Sequence, residues 1–181
     1  MRLWTIQPEN VYNLLISSEF FYCKPELSEC LSSFNFENAY SWLVSKMENL
    51  IGPKPPYVKY PVWAWHTFDG KHSKPDLRKT EFRYFTESSV CIEIEIPDKD
   101  CCLTDEEEWH IVLNNCFNTK YLHNLDFENA EECFEKLPPK EQKFIKEKSW
   151  DCIFDISQSN YIQATFWELR KENIIRTWSI K

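Results

Sequence analysis

Glycine is nearly absent. Two Gly in 181 residues exclude the phosphate-cradling loops GxGxxG and GxxxxGK[ST], which need backbone geometry that only glycine supplies. Positive charge is short as well: 21 Lys and Arg stand against 29 Asp and Glu, a formal net charge of −8. That balance repels a nucleic-acid backbone at long range and argues against binding driven mainly by phosphate charge. No apolar run approaches the ~20 residues of a membrane span, so no membrane partner is expected. The opening MRLWTIQPENVYNLL lacks the apolar stretch and small-residue cleavage site of a secretory signal. A reducing cytoplasmic setting is therefore expected, with the eight Cys acting as free, small hydrophobes. No C-x-x-C occurs, and adjacent Cys101 and Cys102 do not readily aim at one ion, so no metal is expected. A GxSxG nucleophile motif is missing too, and no Cys has an identifiable base beside it.

What the chain has in excess is aromatic side chains, 16% of residues with eight Trp. Its 43% hydrophobic and 28% charged residues are those of an ordinary globular protein, and the length suits one domain, 1–181, with a good core. RLWTIQP reads as a strand stopped by Pro8, followed by a helix with Val11, Leu14 and Leu15 at helical spacing. A second helix runs through NFENAYSWLVSKMENLIG, with Asn35 as N-cap, Ala39, Tyr40, Leu43, Met47 and Leu50 on one face, and Gly52 at its end. SVCIEIEIP alternates strictly, which predicts a half-buried strand with Val90, Ile92, Ile94 and Ile96 inside and Glu93 and Glu95 in water. LTDEEEWHIVLNNCF begins a helix with a Thr104/Glu107 capping box and three acids at its positive end. It carries an apolar stripe of Trp109, Val112, Leu113, Cys116 and Phe117, with His110 and Asn114 within reach of each other. A polar helical hairpin follows around LPPKEQ, and NYIQATFWEL and IIRTWSI read as a β-hairpin joined by RKEN. Strands and helices do not alternate regularly, so the fold class is α+β: a mixed or antiparallel sheet with peripheral helices.

Several side chains carry candidate chemistry. Alternation in IQATFWEL puts Glu168 at the end of the apolar face of Ile162, Ala164 and Phe166. There it is either a usable acceptor or base at the rim of a cleft, or a strand-end carboxylate turned to water beside Arg170 or Lys171. In KPDLR, Arg78 offers a planar five-donor fork for a phosphate or carboxylate, or else pairs locally with Asp76. YPVWAWHTF is apolar on both faces, Tyr60, Val62, Ala64, His66 and Phe68 against Trp63, Trp65 and Thr67. It reads as a strand covered on both sides, with Trp63 and Trp65 either in the core or offering an indole to a flat ligand. His66 and His72 sit six apart across a turn. Two basic islands, one with Lys71, Lys74, Arg78, Lys79 and Arg83 and one with Arg170, Lys171, Arg176 and Lys181, either line an anion-binding cleft or are solvated surface.

Together, LWTIQP, YPVWAW, KPDLR, IEIEIP and QATFWEL resemble a bacterial domain-of-unknown-function family of small cytosolic proteins, along nearly the whole chain. The order of elements is also similar to that of small ADP-ribosyltransferase toxin domains. That second resemblance implies an ADP-ribosyltransferase-like fold and NAD as substrate. It places Thr5 and Gln7 on the nicotinamide-binding first strand, Trp65 stacked on the nicotinamide, Arg78 on the diphosphate, and Glu168 on a ribose hydroxyl, favouring the oxocarbenium-like cation. It further implies a protein or nucleic-acid acceptor, an antitoxin or other partner protein, and a role in bacterial stress or phage defence. The alternative is a non-catalytic ligand-binding or protein-interaction module. The two readings differ over whether Arg78 and Glu168 share a cleft.

Overall fold

The computed structural model describes residues 1–27, 36–82 and 88–180. Their contacts fall into two compact units, Met1–Leu103 with Asn160–Lys181, and Thr104–Ser159. In the first, β1 (Arg2–Pro8) leads directly into α1 (Glu9–Ser18), β2 (Phe20–Phe21) and α2 (Glu37–Ile51). Then come β3 (Val62–Thr67), β4 (Ser89–Glu95), β5 (Cys102–Asp105), whose last two residues count with the second unit, β6 (Ile162–Phe166), β7 (Leu169–Arg170) and β8 (Ile174–Ile180). Six of these strands form one sheet in the order β5-β6-β3-β1-β4-β8, and β2 pairs with β7 in a second, two-stranded sheet. β1 runs antiparallel to β3 and β4, β3 to β6, and β4 to β8. The fold is α+β, as the uneven spacing of elements predicts.

One face of the sheet builds the main core: Leu3, Val62, Ala64, Ile92, Ile94, Ala164 and Phe166 pack with Val11 and Leu15 of α1 and with Phe21 and Leu169 of the small sheet. Each large side chain buried here contributes roughly 1.5–3 kcal/mol relative to exposure. The opposite face carries Trp4, Cys91 and Ile180, with Ile6, Trp65, Leu77 and Trp178 against them. β4 is therefore covered on both sides rather than half exposed. Of the acids expected in water Glu95 is exposed, whereas Glu93 is only 9% exposed and pairs with Arg2.

Other expectations change for identifiable reasons. The two C-terminal runs do not form a hairpin, because β6 pairs with β3 and β8 with β4, and the segment between them pairs with β2. Long-range apolar pairing outcompetes the local turn. In β3 the register with β6 shifts between Trp65 and Thr67. This bulge at His66 breaks the alternation and brings Phe68 against Trp65, centroids 4.8 Å apart, instead of leaving it on the side of Val62. In α2, Ala39, Leu43 and Met47 are buried, but Leu50 is exposed where the helix runs past its core. Asn35 lies outside the described residues, and the N-cap position is Phe36. Gly52 ends α2 at φ +92°.

The second unit contains α3 (Glu106–Leu113), α4 (Phe127–Glu135) and α5 (Pro139–Ser149), the last two being the expected polar hairpin. The α3 cap is Asp105, not Thr104: the Asp105 carboxylate accepts from Glu107 N and Glu108 N, while Thr104 is buried in β5. Asn114 Nδ2 reaches His110 O at 2.7 Å, so these two residues do touch. Of the apolar stripe, Trp109 and Val112 are buried, whereas Cys116, beyond the helix end, is exposed. A buried carboxylate, Glu108, accepts from Asn118 Nδ2 and Lys120 Nζ, and Asn118 N donates to Ser149 Oγ at 2.9 Å. This network satisfies polar groups that would otherwise be costly to bury.

Candidate functional site

The register of β3 and β6 separates the sequence-predicted residues. Val62 opposes Phe166 and Thr67 opposes Ile162, so Glu168, two residues beyond Phe166, lies past the Val62 end. Arg78 follows the Thr67 end, where Lys79 pairs with Asp69 at 2.9 Å and Phe82 packs on Phe68. At a rise of ~3.3 Å per residue the two ends of β3 are roughly 16 Å apart. Glu168 and Arg78 are thus not brought together, and each has its own local partners.

At the Arg78 end, the guanidinium grips Asp76 through Nε at 2.9 Å and Nη2 at 2.8 Å, and Arg78 N donates to the same carboxylate at 3.1 Å. These bonds hold the Asp76 carboxyl well below the usual carboxylate range. The fork is therefore occupied by its neighbour. Thr5 is buried, its hydroxyl donating to Trp63 O at 2.8 Å and accepting from Gln7 Nε2 at 2.7 Å. Both side chains are spent on the interior of the sheet. Trp65 stands across from Trp4 and meets Phe68 and Phe82 edge-on, which makes it a packing residue of the second sheet face. Arg83 lies outside the described residues.

The Glu168 end is different. β6 stops at Phe166, Trp167 turns outward to donate its indole N–H to Gly52 O at 3.1 Å, and Glu168 follows with its side chain only 14% exposed. Its Oε1 accepts from Tyr57 Oη at 2.5 Å and its Oε2 from Arg170 Nη2 at 3.2 Å. The hydrogen bond to this carboxylate, with some burial, pushes the Tyr57 phenol above its ordinary range. Tyr57 and Phe20 are exposed. Their centroids are 6.4 Å apart, and Tyr22 completes a cluster of three rings, its centroid 5.2 Å from Tyr57 and 6.3 Å from Phe20, with Lys24 Nζ 5.6 Å from the Tyr22 centroid. Phe20 opposes Arg170 across the β2–β7 pair, and both line a groove of about 530 Å³ with Ser18, Glu19, Lys171 and Glu172.

Sequence reading found Glu168 and its neighbour Arg170 but missed Tyr57, Phe20 and Tyr22. Tyr57 sits in the proline-rich PKPPYVKYP, whose only sequence signal is extension. Burial pushes the thiol of half-buried Cys23 up to about 11 and those of buried Cys91 and Cys102 up to about 12, which disfavours the thiolate a nucleophile needs. Among the described residues no three His, Cys, Asp or Glu gather as a metal site, and no helix is long and apolar enough to cross a membrane.

An α+β chain built on an antiparallel six-stranded sheet, with a polar corner at the end of β6, is the class the fold defines. Residues 2–175 match the model of a domain of unknown function, DUF3841, and the chain belongs to that family. No curated protein and no solved structure matches it.

Proposed function

We propose that this protein is a ligand-binding module whose groove beside Glu168 takes a nucleotide-type molecule, a flat ring carrying a phosphate. The carrying observation is the Glu168 carboxylate, shielded from water and fixed between the Tyr57 phenol and the Arg170 guanidinium. A carboxylate has about four acceptor sites. The two bonds to Tyr57 and Arg170 leave capacity for a ribose hydroxyl or a base N–H. The exposed rings of Phe20 and Tyr57 supply stacking surface, a sequence-tolerant contact for any flat heterocycle. Arg170, with its side chain 55% exposed and on the groove wall, supplies donors for phosphate, and Lys171 beside it pairs with Glu19 at 3.9 Å.

ADP-ribosyl transfer is the second reading, favoured by the fixed Glu168 carboxylate. The N-glycosidic bond of NAD would break with the electron pair leaving on nicotinamide, and an acceptor nucleophile would bond to the ribose C1′ and release its proton. Glu168 would hold the ribose hydroxyl, and Arg170 would take the part expected of Arg78. The test is a thermal shift with ADP-ribose, ADP and NAD on wild type, Glu168→Gln and Arg78→Gln. Ligand binding to the folded state raises Tm by mass action, so wild type and Arg78→Gln should respond while Glu168→Gln loses the response. No shift in wild type at millimolar ligand would sink the binding reading. Label transfer from NAD to lysate proteins, present in wild type and absent in Glu168→Gln, distinguishes transfer from binding.

A further inference from the structure

On the second face of the sheet one residue from each basic island of the sequence, Lys74 and Arg176, meets one indole, while Arg83 and Lys181 lie outside the described residues. Register places Trp65, Trp4, Glu93 and Arg176 in one row across β3, β1, β4 and β8, and Ile6, Cys91 and Trp178 in the next. Trp178 is half-buried against Trp4 and Cys91. Lys74 Nζ lies 5.3 Å from the Trp178 ring centroid and Arg176 Cζ 5.6 Å from it.

Among the described residues neither cation forms an ion pair, and Asp76, whose charge reaches Lys74, is clasped by Arg78. The acid opposite Arg176 is Glu93, and Glu93 is engaged by Arg2 Nε at 3.3 Å. Lys74 Nζ donates to Pro75 O at 3.2 Å, a neutral acceptor. Among the described residues no carboxylate pairs with Lys74 or Arg176, on a chain with eight more acids than bases, 29 against 21. One cation over an indole is a common stabilising contact. Two of like sign near one ring, drawn from segments about a hundred residues apart in sequence and with no ion pair of their own among the described residues, repel each other, and an anion between them would relieve that repulsion.

We infer that Lys74 and Arg176, above Trp178, form an anion site for a phosphate group, separate from the Glu168 groove. Lys74 supplies a compact point charge, Arg176 a planar fork matched to two phosphate oxygens, and the half-buried indole an apolar surface beside both.

The test labels tryptophan with ¹⁵N and follows the Trp178 indole N–H resonance, assigned with Trp178→Phe, during titration with inorganic phosphate at constant ionic strength against a chloride control. Expected is a saturable, phosphate-specific shift, weakened at least tenfold by Lys74→Gln or Arg176→Gln alone and lost in the double variant. The remaining indole resonances report whether each variant is folded. A Trp178 response no different from chloride, or one unchanged in the double variant, overturns the inference. ADP in place of phosphate identifies the source: tighter binding points to a nucleotide phosphate, equal binding to the free anion. Glu168→Gln should keep the Trp178 response, so failure here and failure of the groove reading are told apart.

Discussion

Two arginines in this protein grip a carboxylate two residues upstream, Arg78 on Asp76 at one end of β3 and Arg170 on Glu168 at the other. In sequence the two pairs look alike. In the fold, Asp76 and Arg78 have side chains 44% and 83% exposed, so their contact is a solvated local clasp of the kind that contributes little to stability. Glu168 is 14% exposed and has a second, long-range partner in Tyr57, whose ring meets Phe20, while its other partner, Arg170, lines the groove. The same spacing is a solvated turn clasp where water reaches it and a shielded, doubly held carboxylate where the chain closes over it. Burial, not the i, i+2 motif, separates the two roles.

The largest effect that can break this comparison is on binding. Removing one partner of a charge-assisted hydrogen bond to ligand costs tenfold or more in affinity. Glu168→Gln should therefore weaken ADP-ribose by at least tenfold, measured by calorimetry, while Asp76→Asn leaves it unchanged. Equal losses at both positions would show that the two clasps do not differ in role. Stability is the next effect. Glu168→Leu strips an acceptor from Tyr57 and Arg170 at a largely buried position and should cost about 1–2 kcal/mol in urea unfolding. Asp76→Ala should leave the urea midpoint within error. A double-mutant cycle of Tyr57→Phe with Glu168→Leu should show coupling. An additive result would mean the 2.5 Å contact contributes nothing to the folded state.

Much of the fold was legible because period and punctuation are local. Pro8 stops β1, helical spacing marks α1 and α2, and strict alternation marks β4. What stayed hidden depends on which strand lies beside which. Alternation says which residues share a face but not whether that face is covered, so Glu93 read as solvated. The His66 bulge exists only relative to β6. Tyr57 reaches Glu168 across 111 residues of sequence, and nothing in PKPPYVKYP announces a phenol aimed at a distant carboxylate. The meeting of Lys74 and Arg176 at Trp178 was legible only as two separate basic islands, because β8 had to pair with β4 rather than with β6 to create it.

The smallest effect sharpens the character of the Arg78 end through pH. His66 occupies the β3 bulge, its Nδ1 2.9 Å from Thr67 Oγ1, and its ring lies against that of His72, tilted by 33° with centroids 4.1 Å apart. Burial, then the neighbouring His72 charge, lowers its pKa from 6.5, with Asp98 acting the other way and the N-terminal amine adding to the lowering. A histidine whose folded pKa is depressed binds its proton more weakly than the unfolded chain does. Above pH 6.5 both states are neutral and the group costs nothing. As pH falls below 6.5 the unfolded chain takes up the proton first, so stability declines until the folded pKa is passed. Urea midpoints measured from pH 7.5 to 5 should therefore fall in wild type, and His66→Gln should flatten the part of that slope due to this residue. A slope unchanged by the substitution would move the pH dependence away from the bulge.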